Sequence, residues 1–122
     1  MAEIQGANVQ TIPGLSVSGD ISSKQYHFVK AASTANQVIA VAGSTDVAIG
    51  VLLDAPDAAN ESALVGALGI MPLVAGTSVI TYGSRVGYDS TGRVGTYALK
   101  VGVAMEAPGA AGDIIKVLVT GL

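Results

Sequence analysis

The chain has no cysteine and no tryptophan, one histidine, one phenylalanine and four tyrosines, and only 12% of its 122 residues are charged. Without cysteine, neither a disulfide framework nor a zinc-thiolate site can form. A single histidine means that any Ser-His-Asp arrangement must pass through His27, and no serine stands in a G-x-S-x-G elbow. Flanked by Tyr26 and Phe28, His27 reads as a packed or surface imidazole. Six basic residues against nine acidic ones leave a net charge of −3. So few cations cannot neutralise a row of phosphates, and five aromatic rings are too few for a stacking platform, so nucleic acid is not an expected partner. Despite 16 glycines, neither phosphate-cradling glycine motif occurs. The first ten residues show no basic n-region followed by an apolar stretch, which predicts synthesis in the cytoplasm without export.

Hydrophobic residues make up half of the chain. The longest apolar run, Ala63 to Ile80, has only Thr77 and Ser78 as polar members. It is long enough for a membrane helix, but Pro72 stands in its middle and Gly66, Gly69 and Gly76 interrupt it. No basic residue anchors an end, so buried strands are expected and membrane insertion is not. Val and Ile together number 25 against 9 Leu. β-Branched side chains lose rotamer freedom in helices and pack well on pleated sheets, so the composition favours strands. No segment carries a capped 3.6-residue apolar stripe.

The expected fold is therefore all-β, a small β-barrel or β-sandwich over residues 15–122, preceded by an extended N-terminal arm over residues 1–14 that ends in Pro13-Gly14. Strands are predicted at 15–17, 25–30, 37–41, 47–53, 62–68, 70–74, 78–82, 85–88, 93–97, 99–105 and 114–119. Within 25–30, alternation places Tyr26 and Phe28 on one face with Lys24 and Lys30, and His27 on the other. Asp89-Ser90-Thr91-Gly92 reads as a hairpin loop.

Sliding the chain against itself by 52 residues aligns VAIGVLLDAPDAANESALV, residues 47–65, with LKVGVAMEAPGAAGDIIKV, residues 99–117, with seven of 19 pairs identical. Among the identities are Gly50 with Gly102 and Pro56 with Pro108. Each copy predicts a hairpin: an apolar strand, an acid, an Ala-Pro that ends the ladder, a small-residue loop, a second acid and a second strand. Mid-strand glycine predicts a bend or a close backbone approach. Asp54, Asp57, Asn60 and Glu61 supply enough oxygens to consider calcium, yet the second copy has Glu106, Gly109, Gly112 and Asp113 in their places. Losing the two middle ligands argues against a metal, and no cofactor is expected. Paired carboxylates for sugar cleavage would need an aromatic-lined cleft that a chain without tryptophan does not offer. No catalytic residue is assigned.

From about Val47 to Leu122, and above all in GYDSTGRV and LKVGVAMEAPGAAGDIIKVLVTGL, the chain resembles small bacteriophage capsid decoration, or cement, proteins. The steps that carry the likeness are Gly102 to Ala104, Glu106-Ala107, Ala110 to Asp113 and Ile115 to Leu118. The resemblance implies a β-rich, non-catalytic virion protein on the outer capsid surface, whose partners are the phage major capsid protein and copies of itself, often as a homotrimer. It also implies an extended terminal segment that grips the shell. Outside the region of likeness, and as an expectation added to it, Ala2 to Gly14 would do so by adding a strand to an exposed edge, with Ile4, Val9, Ile12 and Pro13 at a capsid or oligomer interface. A tail or fibre domain is the alternative from the same assembly class. A small-ligand binder or enzyme would need convergent polar groups, which the composition scarcely supplies.

Overall fold

The computed structural model describes residues 9–97 and 99–121. Among them the protein is all-β: no α-helix is present, and ten strands form one continuous sheet. They are β1 (Gln10–Thr11), β2 (Ser16–Val17), β3 (Phe28–Ala31), β4 (Gln37–Ala40), β5 (Ala48–Leu52), β6 (Val65–Val74), β7 (Arg85–Tyr88), β8 (Val94–Gly95), β9 (Gly102–Ala104) and β10 (Ile114–Val119). The hydrogen-bonded path runs β2-β4-β3-β5-β6-β10-β9-β7-β8, with β1 added to β6. The ladder is open between β2 and β8, so a closed barrel is not formed. No helix among the described residues is long and apolar enough to cross a membrane.

Each half of the sheet curls back on the long central strand β6. On one side Ser16 bridges Ser62 just before β6, and on the other Val94 bridges Ala75 just after it. Two apolar cores result. The smaller holds Val17, Val29, Val38, Leu52, Ala63 and Val65. The larger holds, among others, Phe28, Val51, Met71, Leu73, Tyr88, Val94, Ile115 and Val117. Neighbours such as Phe28 and Val29, or Val51 and Leu52, fall in different cores because successive side chains leave a strand on opposite faces. β3 and β5 are therefore apolar on both faces. In the larger core the Phe28 and Tyr88 rings lie 5.0 Å apart and tilted, a pairing worth roughly 0.5–1.5 kcal/mol beyond its buried area. The Tyr88 hydroxyl donates to the Asp46 carbonyl and accepts from the Ala48 amide, so its polar end is satisfied.

Four expected strands differ. The predicted 25–30 strand begins only at Phe28, and the alternation of Tyr26 with Phe28 does not exist. A 3-10 turn at Ser22–Lys24 precedes Tyr26, whose φ of 65° is left-handed. Tyr26 donates its amide to Leu52 and accepts at its carbonyl from Val74, so its backbone joins two diverging strands rather than continuing one. The predicted 62–68 and 70–74 strands are one strand, β6, with Gly69 at φ 120° inside it. Pro72 is tolerated there because the Val74 amide points away from β10 to Tyr26. Two residues earlier, the Pro72 nitrogen points to the same side, where the β10 ladder needs no donor. The predicted 78–82 strand is an irregular loop. Ile80 is buried while Val79 and Tyr82 are 84% and 72% exposed, and Ser84 closes a turn onto the Thr81 carbonyl through both its amide and its hydroxyl.

Candidate functional site: the repeated hairpins and an apolar face

The two sequence copies are two hairpins with the same register. Val51 pairs with Gly66 and Leu52 with Val65 in the first, and Val103 with Leu118 and Ala104 with Val117 in the second. Three polar contacts that close the turns recur 52 residues on. The Leu53 amide reaches the Leu64 carbonyl at 2.8 Å, and the Met105 amide reaches that of Lys116 at 2.9 Å. Asp54 accepts from the Leu64 amide at 3.1 Å, as Glu106 does from Lys116 at 2.8 Å. Glu61 accepts from the Asp57 amide at 2.9 Å, as Asp113 does from Gly109 at 2.8 Å. The paired acids therefore close the two turns by taking backbone donors that the bend leaves without ladder partners.

Gly50 and Gly102 are also equivalent in cause. A side-chain carbon at Gly50 would stand 2.7 Å from the Gly66 carbonyl oxygen, and one at Gly102 would stand 2.5 Å from that of Leu118. Adjacent strands cross too closely there for any side chain. Pro56 is buried and Pro108 half-buried, each at the start of its turn.

The other polar clusters are likewise turned inward. Asp89 accepts from the Thr91 amide and hydroxyl and from the Arg93 amide and Nε, at 2.7–3.1 Å. Burial pushes its carboxyl up, but the Thr91 and Arg93 donors outweigh that and hold it below the usual aspartate value. These bonds fix the β7–β8 hairpin loop expected at 89–92. Asp46 accepts from Lys30 at 2.9 Å and from the Ala42 and Gly43 amides, and these donors, Lys30 first, lower its pKa. The His27 ring is half-buried, with Nδ1 3.0 Å from the Gln25 carbonyl. Desolvation lowers its pKa below 6.5, with Lys24 and Arg93 acting in the same sense. Among the described residues no three potential metal ligands cluster.

One outward face of the sheet is mostly apolar. The ladder that sets Ile114 against Val74, Lys116 against Pro72 and Leu118 against Ile70 puts these six side chains on the outer face of β6 and β10. Lys116 is the one charge among them, and Ile114 is 54% exposed. Antiparallel strands with one solvated face normally alternate apolar with polar, and this pair does not. Beside it lies a groove of about 380 Å³ lined by Val9, Thr11, Tyr26, Leu53, Leu64, Ile70, Met71 and Pro72. Only Thr11 and Tyr26 bring polar side-chain atoms to it, which is little for the recognition of a small polar ligand.

Of the residues assigned from sequence to an interface, Val9 is half-buried against the larger core and Ile12 against the smaller. The Ile12 amide donates to the Val65 carbonyl at 3.0 Å, Pro13 is exposed, and Ile4 lies outside the described residues. Sequence reasoning missed the β6–β10 outer face. Its signal was present in Ala63 to Ile80, an apolar run without the alternation of a half-solvated strand, which was assigned entirely to burial.

The fold has a counterpart among solved structures. The crystal structure of the head fiber gp8.5 N base in bacteriophage phi29 superposes with a TM-score of 0.68, covering 92% of this chain and 92% of that one at 14% sequence identity. No family model and no curated protein matches the chain.

Proposed function

We propose that this chain is a structural protein of a bacteriophage head, a capsid decoration protein that binds the outer surface of the assembled shell and strengthens contacts between major capsid subunits. The observation that carries the reading is the fold shared over 92% of the chain with a phage head fiber base. It is supported by the likeness of residues 99–122 to cement proteins. The described acids at the turns and in the ion pairs also hold the fold rather than a reacting group. The proposed contact surface is the outer face of β6 and β10 together with the N-terminal segment bearing Ile4 and Pro13. The proposed assembly is a homotrimer on the capsid lattice. A face apolar on both strands with a single charge suits lasting contact with a large protein surface.

The decisive experiment mixes purified protein with unexpanded and expanded shells of its phage and follows sedimentation and electron microscopy. Saturable binding to expanded shells, lost in Ile114→Asp at unchanged stability, is expected. Absence of binding to every shell form rules the reading out. The head-fiber likeness favours a second reading, the base of a fibre attached to the head. In that case density for this chain in virions would sit at the foot of projecting fibres instead of on the lattice between capsomers.

A further inference from the structure

We propose that copies of this chain associate head to tail, the outer face of β7 and β9 in one copy seating on the end of β3 and the loop after it in the next. The template is the way the first half of the chain seats on the second. The inference supplies faces for self-association and needs no shell, so its failure would leave the shell-binding reading standing.

The duplication seen in the hairpins extends through most of the described chain. Apart from β2, the strand path is β4-β3-β5-β6-β10-β9-β7-β8, in which β3, β4, β5 and β6 hold the places from one end that β7, β8, β9 and β10 hold from the other. The registers agree as well. Phe28 faces Val51 and Val29 faces Gly50, as Arg85 faces Val103 and Val86 faces Gly102, and Ala31 faces Val38 as Tyr88 faces Val94. The bend before β3 recurs before β7: Tyr26, at φ 65°, donates to the Leu52 carbonyl, and Gly83, at φ 83°, donates to the equivalent Ala104 carbonyl. The end of β6 is the counterpart of β2. Val17 donates to Glu61 and accepts from Asn60, as Ala75 donates to Asp113 and accepts from Gly112. Long-range bonds that coincide in this way mean one unit built twice.

Two equal units joined in tandem meet through two different faces. The first unit contributes Phe28, Val51 and Ala48, which lie in the larger core among residues of the second. The second contributes Tyr88, whose ring lies 5.0 Å from that of Phe28, and the Gly92 carbonyl, which accepts from the Phe28 amide. Each unit also carries the face its twin uses. In the second unit Arg85, Val103 and Lys100 stand in the places of Phe28, Val51 and Ala48; Arg85 and Lys100 are exposed and Val103 is half-buried. In the first unit Ala31 and the following loop stand in the places of Tyr88 and the 89–92 loop, and Ala31 and residues 33–36 are exposed. Val47, the equivalent of Leu99, is 79% exposed. The two free faces fit in size, since Arg85 is longer than Phe28 and would meet Ala31, which is smaller than Tyr88. Asp46, next to Val47 in the chain and partly exposed, gives the receiving face a carboxylate for Arg85 and Lys100. Because the faces differ, the contact repeats from copy to copy until a ring closes or an open chain forms.

With no native cysteine, single exposed positions report the contact in the full-length protein. Arg85→Cys and Ala31→Cys mark the counterparts of Phe28 and Tyr88. Mixed in equal amounts at high concentration and mildly oxidised, they are expected to form a mixed dimer several-fold faster than either forms with Val79→Cys, whose site is on an exposed loop. Neither alone is expected to link faster than that control. Rapid self-linking of Arg85→Cys would mark a two-fold contact, and mixed links no faster than the control would show that these faces do not meet. Either outcome overturns the proposal. Sedimentation gives a reading without cysteine. The weight-average mass of the unaltered chain is expected to rise with concentration, and Ala31→Arg, which sets a second cation and a long side chain against Arg85, is expected to reduce that rise several-fold. A mass that stays at one chain, or an equal rise in both proteins, contradicts the assignment.

Discussion

At Gly50 and Gly102 the chain has no room for a single extra carbon, because the carbonyl oxygens of Gly66 and Leu118 lie against the α-carbons. Backbone atoms cannot swing aside as a side-chain tip can. Gly50→Ala and Gly102→Ala are each expected to cost about 1–3 kcal/mol through overpacking, read as a lowered midpoint in urea unfolding. Gly14, with open space around its α-carbon, serves as the contrast for crowding, although its φ of 77° keeps it strained as alanine. A second residue-scale consequence is set by His27. Its folded-state pKa lies below the unfolded value, so the unfolded chain binds the proton more readily and stability rises with pH in that window. Stability is therefore expected to fall as pH drops through about 6.5, and to level off below the folded pKa of the ring. His27→Gln should flatten this step in urea titrations between pH 7 and pH 5. The lowered pKa of Asp89 acts at lower pH, where its contribution is lost as the carboxyl takes up a proton below the usual aspartate range.

At the scale of elements, the repeated hairpin was legible from the sequence in its copies, its turns and its glycines, because each depends on local chemistry repeated at a fixed offset. The role of the acids was not. A sequence offers Asp54 and Glu61 as oxygen donors to anything nearby, and only the fold shows that backbone amides already occupy them. Removing either strand-end acid, as Asp54→Ala or Glu106→Ala, should cost roughly 0.5–1.5 kcal/mol. The two losses should add, since the turns share no partner, which a double variant in urea unfolding checks. Strand limits were readable where apolar runs met turn residues, as at 85–88 and 114–119. They failed where long-range hydrogen bonds decide: Tyr26 is bent by its bonds to Leu52 and Val74, partners 26 and 48 residues away. They failed again at 78–82, where β-type residues lie on the surface with Ile80 alone anchored. The apolar outer face of β6 and β10 was hidden for a related reason. An unalternating run says that both faces are greasy, and nothing in it says which face the rest of the chain covers.

For the whole molecule, the course of β1 ties the two halves together. β10 follows the edge of β6 as far as Val119, opposite Gly69, and β1 takes over at the next position, with Gln10 opposite Leu68. The two strands run in the same direction, end to end, so one edge of β6 is completed by the last strand of the chain and then by the first. A break in the backbone is thus already present inside a continuous line of pairing. Closing that break and opening another should leave the architecture whole. A permuted chain joined by a short Gly-Ser linker between Gly121 and Val9, with residues 1–8 omitted and new ends cut in the exposed turn at 109–112, is expected to give the same sheet and a cooperative unfolding transition. Circular dichroism and urea titration would show it. In such an arrangement the first and last described strands meet on one edge of β6, so a cargo joined to the chain beside Val9 and one joined beside Gly121 would be displayed from the same address.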